Sequence, residues 1–97
     1  MKDLQLENLS DLMGLVSAEN YRQIRKWGVQ DHDPGWWMTI LTEEVGELAE
    51  AILEFHFGKG PTNHVAHEAI QVATVALKIA EGFIAWPAER QDGEGRP

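Results

Sequence analysis

The sequence predicts an all-α protein: an antiparallel helical hairpin preceded by an N-terminal helix, assembling into an oligomeric helical bundle. Three observations carry this. Apolar residues recur at three- and four-residue spacing in three successive segments. Glycine and proline separate those segments at plausible stops. No stretch alternates with the two-residue period of a credible strand.

The first helix is expected from about Asn8 or Ser10 to Lys26, with Leu9, Leu12, Met13, Val16 and Ile24 as its apolar residues and Gly28 as its stop. The second opens at Asp33-Pro34, an N-cap aspartate followed by proline in the first turn. It runs to about Phe57, where Gly58-Lys59-Gly60-Pro61 ends it. Its apolar stripe, Trp37, Leu41, Val45, Leu48, Ile52 and Phe55, reads as ordinary core. The third begins at Thr62 or Asn63, either of which can cap it, and continues to about Ala85, before Pro87. Its polar side chains, from His64 through Glu81, share an arc of roughly 140°. The remaining arc is too wide for one neighbour to cover, which predicts a central helix and a second subunit.

The chain has 97 residues, enough for one domain. Residues 1–87 form it, and the polar segment 88–97 is expected to be a disordered tail. The absence of cysteine fits a reducing compartment, and no signal-peptide core opens the chain, so a cytoplasmic location is expected. The longest runs without a charge are nine residues, against the ~20 that span a bilayer. Sixteen acidic residues against eight basic give a net charge of −8, which counts against duplex nucleic acid as a partner.

No lysine or arginine lies between Lys26 and Lys59, an interval that holds seven carboxylates. Glu43/Glu47 and Glu50/Glu54 are like-charge i,i+4 pairs, each costing a helix about 0.2–0.5 kcal/mol. A solvated acidic face explains Glu43, Glu50 and Glu54. Glu44 and Glu47 share a different stripe with Ile40 and Ala51, so they are expected to be half-buried. Glu68 and Gln71 form a second i,i+3 pair on the third helix. In an antiparallel hairpin, Glu47 stands ~16 Å and Gln71 ~15 Å from the connecting loop, so the four side chains converge. Three carboxylates and an amide oxygen are hard ligands of the kind Mg²⁺ takes. Without a cation they would repel, and at least one would be driven to protonate.

The block Glu43-Glu44-Val45-Gly46-Glu47-Leu48-Ala49-Glu50-Ala51-Ile52 resembles the MazG-type nucleoside triphosphate pyrophosphohydrolases, as does Glu68-Ala69-Ile70-Gln71-Val72-Ala73. The segment from Arg22 to His32, with its Lys26-Trp27-Gly28-Val29-Gln30, is similar to the entry of small phage- and mobile-element-type members. The resemblance covers about Arg22 to Phe83. It implies an all-α dimer or tetramer that hydrolyses a (deoxy)nucleoside triphosphate to the monophosphate and pyrophosphate with Mg²⁺, or Mn²⁺ in its place. It also implies a house-cleaning role in the nucleotide pool. The family motif is Glu-x-x-Glu followed by Glu-x-x-Asp, and its acidic residues ligate metal. Glu44, Glu47 and Glu68 match as metal ligands and catalytic residues. Gln71 departs from the expected aspartate: it offers a carbonyl oxygen but no charge. Fewer bound metals, weaker affinity or lost activity are all compatible with that change.

On this reading the glutamates hold the metal against the triphosphate while water attacks the α-phosphorus in line. Lys78, on the same stripe as Gln71 and Thr74, is a candidate phosphate contact weighed against an ordinary snorkelling lysine. Trp27 and Trp36 are candidates for stacking on a base, and His32 for facing the pocket; Trp37 and Trp86 are assigned to packing. Two rival readings remain. His64, His67 and Glu68 sit within about one turn, as a partial zinc site would, but no cysteine or His-Glu-x-x-His accompanies them. A non-catalytic helical module that binds nucleotides or oligomerises draws its support from Gln71.

Overall fold

Each helix starts and stops where local chemistry satisfies the backbone groups left over at its ends. A single 3₁₀ turn, Leu6–Asn8, leads into α1, Leu9–Trp27. Gly28 closes α1 at φ 76°, a conformation side chains rarely adopt, with its N–H on the Ile24 carbonyl at 2.8 Å. α2 spans Pro34–His56, and the Asp33 carboxylate accepts from the Trp36 N–H at 2.8 Å, as the Asp-Pro signal predicts. At its other end Gly58 takes φ 77°, and the Glu54 carbonyl accepts from both Lys59 and Gly60. α3 spans Thr62–Ile84. Its N-cap is Pro61, with no side-chain cap, so neither Thr62 nor Asn63 plays the role expected of it.

The computed structural model describes residues 1–87, and the expected tail 88–97 lies outside them. Among the described residues the protein is all-α, with three α-helices and no strand. α3 is central: α2 packs along it most extensively and α1 packs on it too, whereas the backbones of α1 and α2 do not approach each other. No helix among the described residues is long and apolar enough to cross a membrane.

The packed face of α2 differs from the expected one. Val45, Ile52 and Phe55, read as core, are exposed in the single chain, while Trp37, Leu41 and Leu48 are half-buried. The fully buried residue of α2 is Ala51, on the stripe of Ile40, Glu44 and Glu47. One partner helix covers only a narrow arc of α2, and the small side chain of Ala51 lets α3 approach on that side. α1 departs in part: Leu12 and Val16 are half-buried as expected, but Leu9, Met13 and Ile24 are exposed, and its one buried residue is Glu19.

Candidate metal centre

The tight approach of α2 and α3 near Ala51 brings the acidic stripe of one helix against the polar stripe of the other. Glu44 is half-buried as expected, Glu47 is exposed rather than half-buried, and Glu68 is only 8% exposed. One carboxylate oxygen from each lies within 4.8 Å of the other two. The two Glu-x-x pairs therefore converge as their spacing predicts. Burial raises the proton affinity of Glu44 above the usual carboxylate range, and the charges of Glu47 and Glu68 push it the same way.

Gln71 completes the group. Its amide suits all its neighbours in one orientation: the nitrogen donates to Glu68 Oε2 at 2.9 Å and Glu44 Oε2 at 3.2 Å, and the oxygen accepts from His67 Nε2 at 3.2 Å. A neutral donor thus offsets part of the repulsion between two carboxylates. Turning the amide over points its oxygen at the same place and its nitrogen at His67 Nε2. Gln71 can therefore serve the cluster with or without a cation, which an aspartate cannot do.

The histidines do not support a zinc site. His64 Nε2 lies 3.3 Å from Glu68 Oε1 and His67 faces Gln71, and neither joins the three glutamates in a common ligand group. They buttress the cluster from its α3 side.

The predicted substrate contacts divide. Lys78 and His32 line one cleft of about 630 Å³ between α1, the Gly28–His32 loop, the start of α2 and the end of α3. Trp27 and Trp36 do not line it, and they are 63% and 56% exposed. Lys26 lies over the Trp27 ring, and Trp36 meets His32 at 6.1 Å. The aromatic walls are instead Trp37, edge-on to His32 at 5.2 Å, and Trp86, stacked on Phe83 at 5.0 Å. The sequence assigns both to packing, Trp37 by its place on the apolar stripe of α2 and Trp86 by its place at the end of the third helix.

Glu19, Gln23 and Arg22 were not anticipated as a group. The Glu19 carboxylate accepts from Arg22 Nε and Nη2 at 2.9 and 2.7 Å and from Gln23 Nε2 at 2.6 Å. Those bonds, Arg22's foremost, hold it below the usual carboxylate range although burial opposes them. Arg22 also feels the charge of Glu44, so this group borders the acidic cluster. The signal was present in the sequence: Leu12, Val16, Glu19 and Gln23 follow one helical stripe, so the two polar residues had to face α3.

No family model, curated protein or solved structure matches the chain.

Proposed function

We propose that this protein is a Mg²⁺-dependent pyrophosphohydrolase that converts a (deoxy)nucleoside triphosphate to the monophosphate and pyrophosphate in the nucleotide pool. The convergence of Glu44, Glu47 and Glu68 from two helices carries the reading. Hard, closely spaced carboxylates with a raised proton affinity at Glu44 suit a divalent cation, and Gln71 can turn its oxygen to the same point. When bound, Mg²⁺ or Mn²⁺ supplies the positive charge that a polyphosphate and its leaving pyrophosphate require. Glu44, Glu47 and Glu68 would hold that cation, and one of them would orient the attacking water and receive its proton. The water oxygen bonds to the α-phosphorus, the bridging P–O bond breaks, and pyrophosphate departs with that bond's electron pair. His32, Trp37 and Trp86 line a cleft toward the far end of α3 that would take the nucleoside, although no residue of the cluster lines it.

The hairpin of α2 and α3 is read as the unit of a dimer or tetramer. Val45, Ile52 and Phe55 on α2, with Leu77 and Ile84 on α3, leave apolar surface that a second copy would cover. Gln71 also favours one alternative, a nucleotide-binding module without turnover, because its amide already relieves two of the carboxylates. A panel of canonical and damaged nucleotides, assayed for pyrophosphate with Mg²⁺ or Mn²⁺, separates the two. Release from at least one nucleotide is expected. Folded protein that releases none above blank refutes the hydrolase.

A further inference from the structure

Lys78 is a cation without a counter-ion in direct contact. Its Nζ donates to Gln23 Oε1 at 2.5 Å, and no carboxylate lies within ion-pair distance of it among the described residues. An ammonium has three donors, and Gln23 takes one. The side chain is half-buried and lines the 630 Å³ cleft, whose other charged lining residues, Asp31 and Glu81, make no ion pair with it. An interfacial lysine ordinarily pairs with a carboxylate or reaches past its neighbours to water, and this one has an amide oxygen in place of the carboxylate.

What holds it there is directional. Glu19 is 7% exposed and, as a carboxylate, can only accept. Gln23 must therefore offer Glu19 its NH₂ group, at 2.6 Å, which turns its carbonyl oxygen toward Lys78. Arg22 keeps Glu19 ionised and in place through two parallel bonds. A buried charge on α1 thus sets the polarity of a neutral amide, and that amide positions a lysine on α3 without neutralising it.

We propose that Glu19 and Gln23 are positioning residues that present Lys78 as a preset anion site, and that this site takes the phosphate chain of a nucleotide. Lys78 lies seven residues beyond Gln71 on α3, ~10 Å along the helix axis, so an anion there lies along the same helix from the carboxylate cluster. Naming the anion as a nucleotide's phosphate chain rests on the pyrophosphohydrolase reading; the preset cation does not.

The test uses the full chain, labelled with ¹⁵N, and follows the Lys78 Nζ signal while inorganic pyrophosphate is titrated with and without Mg²⁺. The signal is expected to shift and saturate. Gln23→Met, which removes the tether but keeps the side-chain length, should weaken pyrophosphate binding about tenfold, and Glu19→Gln, which frees the amide to turn, should act in the same direction. Gln23→Glu hands Lys78 a counter-ion and should abolish the shift. Lys78→Met, whose fold is checked by circular dichroism, covers the case in which an α1 variant does not fold, and it should weaken binding at least as much. With a hydrolysed nucleotide, Gln23→Met should raise KM about tenfold while kcat changes little. A Lys78 signal unmoved by pyrophosphate in folded protein overturns the proposal, as does wild-type affinity in both Gln23→Met and Lys78→Met. Pyrophosphate bound at Lys78 with no nucleotide hydrolysed would sink the hydrolase and leave the anion site standing. Hydrolysis with KM unchanged in both variants would do the reverse.

Discussion

Glu44→Gln isolates the electrostatic cost of the cluster from its use. The substitution keeps an oxygen for the Gln71 amide but removes one of three charges whose oxygens lie within 4.8 Å of one another. Two unit charges at about that separation repel by about 3.5 kcal/mol at an effective dielectric of ~20, and by about 0.9 kcal/mol in bulk water. Glu47 is exposed, and Gln71 donates to the other two carboxylates, so the lower figure governs. In EDTA the variant should therefore be more stable by about 1 kcal/mol, a rise in Tm of roughly 4–8 °C for a domain of this size. At Mg²⁺ ten times its Kd the wild type gains about 1.4 kcal/mol through binding, whereas the variant, lacking a ligand, gains much less. The order of the two melting curves should close or reverse when Mg²⁺ is added, at fixed protein concentration. Calorimetric melts of both proteins in EDTA and in Mg²⁺ measure this. A variant less stable than wild type in EDTA, or equal Mg²⁺ shifts in both, refutes the reasoning that these carboxylates are an unbalanced cation site.

Three further outcomes follow from the geometry. Gln71→Asp removes a donor to Glu44 and Glu68 and adds a fourth charge, so the metal-free protein should lose about 1–2 kcal/mol while Mg²⁺ affinity by titration calorimetry rises; unchanged affinity would show that position 71 does not face the cation. Glu19 has a folded pKa below its unfolded one, chiefly through Arg22, so its stabilisation is present above about pH 4.5 and is lost as pH falls through the folded value. Acid titrations of wild type and Glu19→Gln should keep a constant stability difference above about pH 4.5 and converge as pH falls through the folded value. Sedimentation at micromolar concentration should report a dimer or larger, and a clean monomer would contradict the reading of the exposed apolar residues on α2 and α3.

Helix ends were the most legible feature, because they depend on residues adjacent in sequence. Asp33-Pro34, Gly28 and Gly58 act at the positions where they were read, while the cap predicted for α3 fails because Pro61 already takes the extended conformation there. The meeting of Glu44 and Glu47 with Glu68 was legible too, since i,i+3 spacing and a short connection bound their height along the helices. Depth was not legible. The stripes Val45–Ile52–Phe55 and Ile40–Glu44–Glu47–Ala51 adjoin on α2, and hydropathy ranks the first as deeper. In the single chain α3 covers the second, because close approach at Ala51 outweighs the greater apolar area of the first. The same bias hid Glu19 and Gln23, whose position on the α1 stripe says buried while their chemistry says exposed.

On the proposed reading, that pairing of buried acid with unneutralised base would let a chain with a net charge of −8 receive a polyanion. The sum misleads, because charges act over about 8–10 Å at physiological ionic strength. Near Lys78, Glu19 is paired directly by Arg22, and Asp31 and Glu81 line the same cleft without an ion pair to the lysine. The carboxylates of the cluster, farther along α3, lack any such basic partner among the described residues except the weak contact of His64 with Glu68. One stretch of helix therefore presents an acidic cluster about two turns from a lysine with no carboxylate at ion-pair distance among the described residues. Free Mg²⁺ satisfies only the first, and a bare phosphate is repelled by it. A phosphate chain carrying its own divalent ion satisfies both, so binding of metal and of polyphosphate should each strengthen the other, a mutual enhancement that neither site alone predicts.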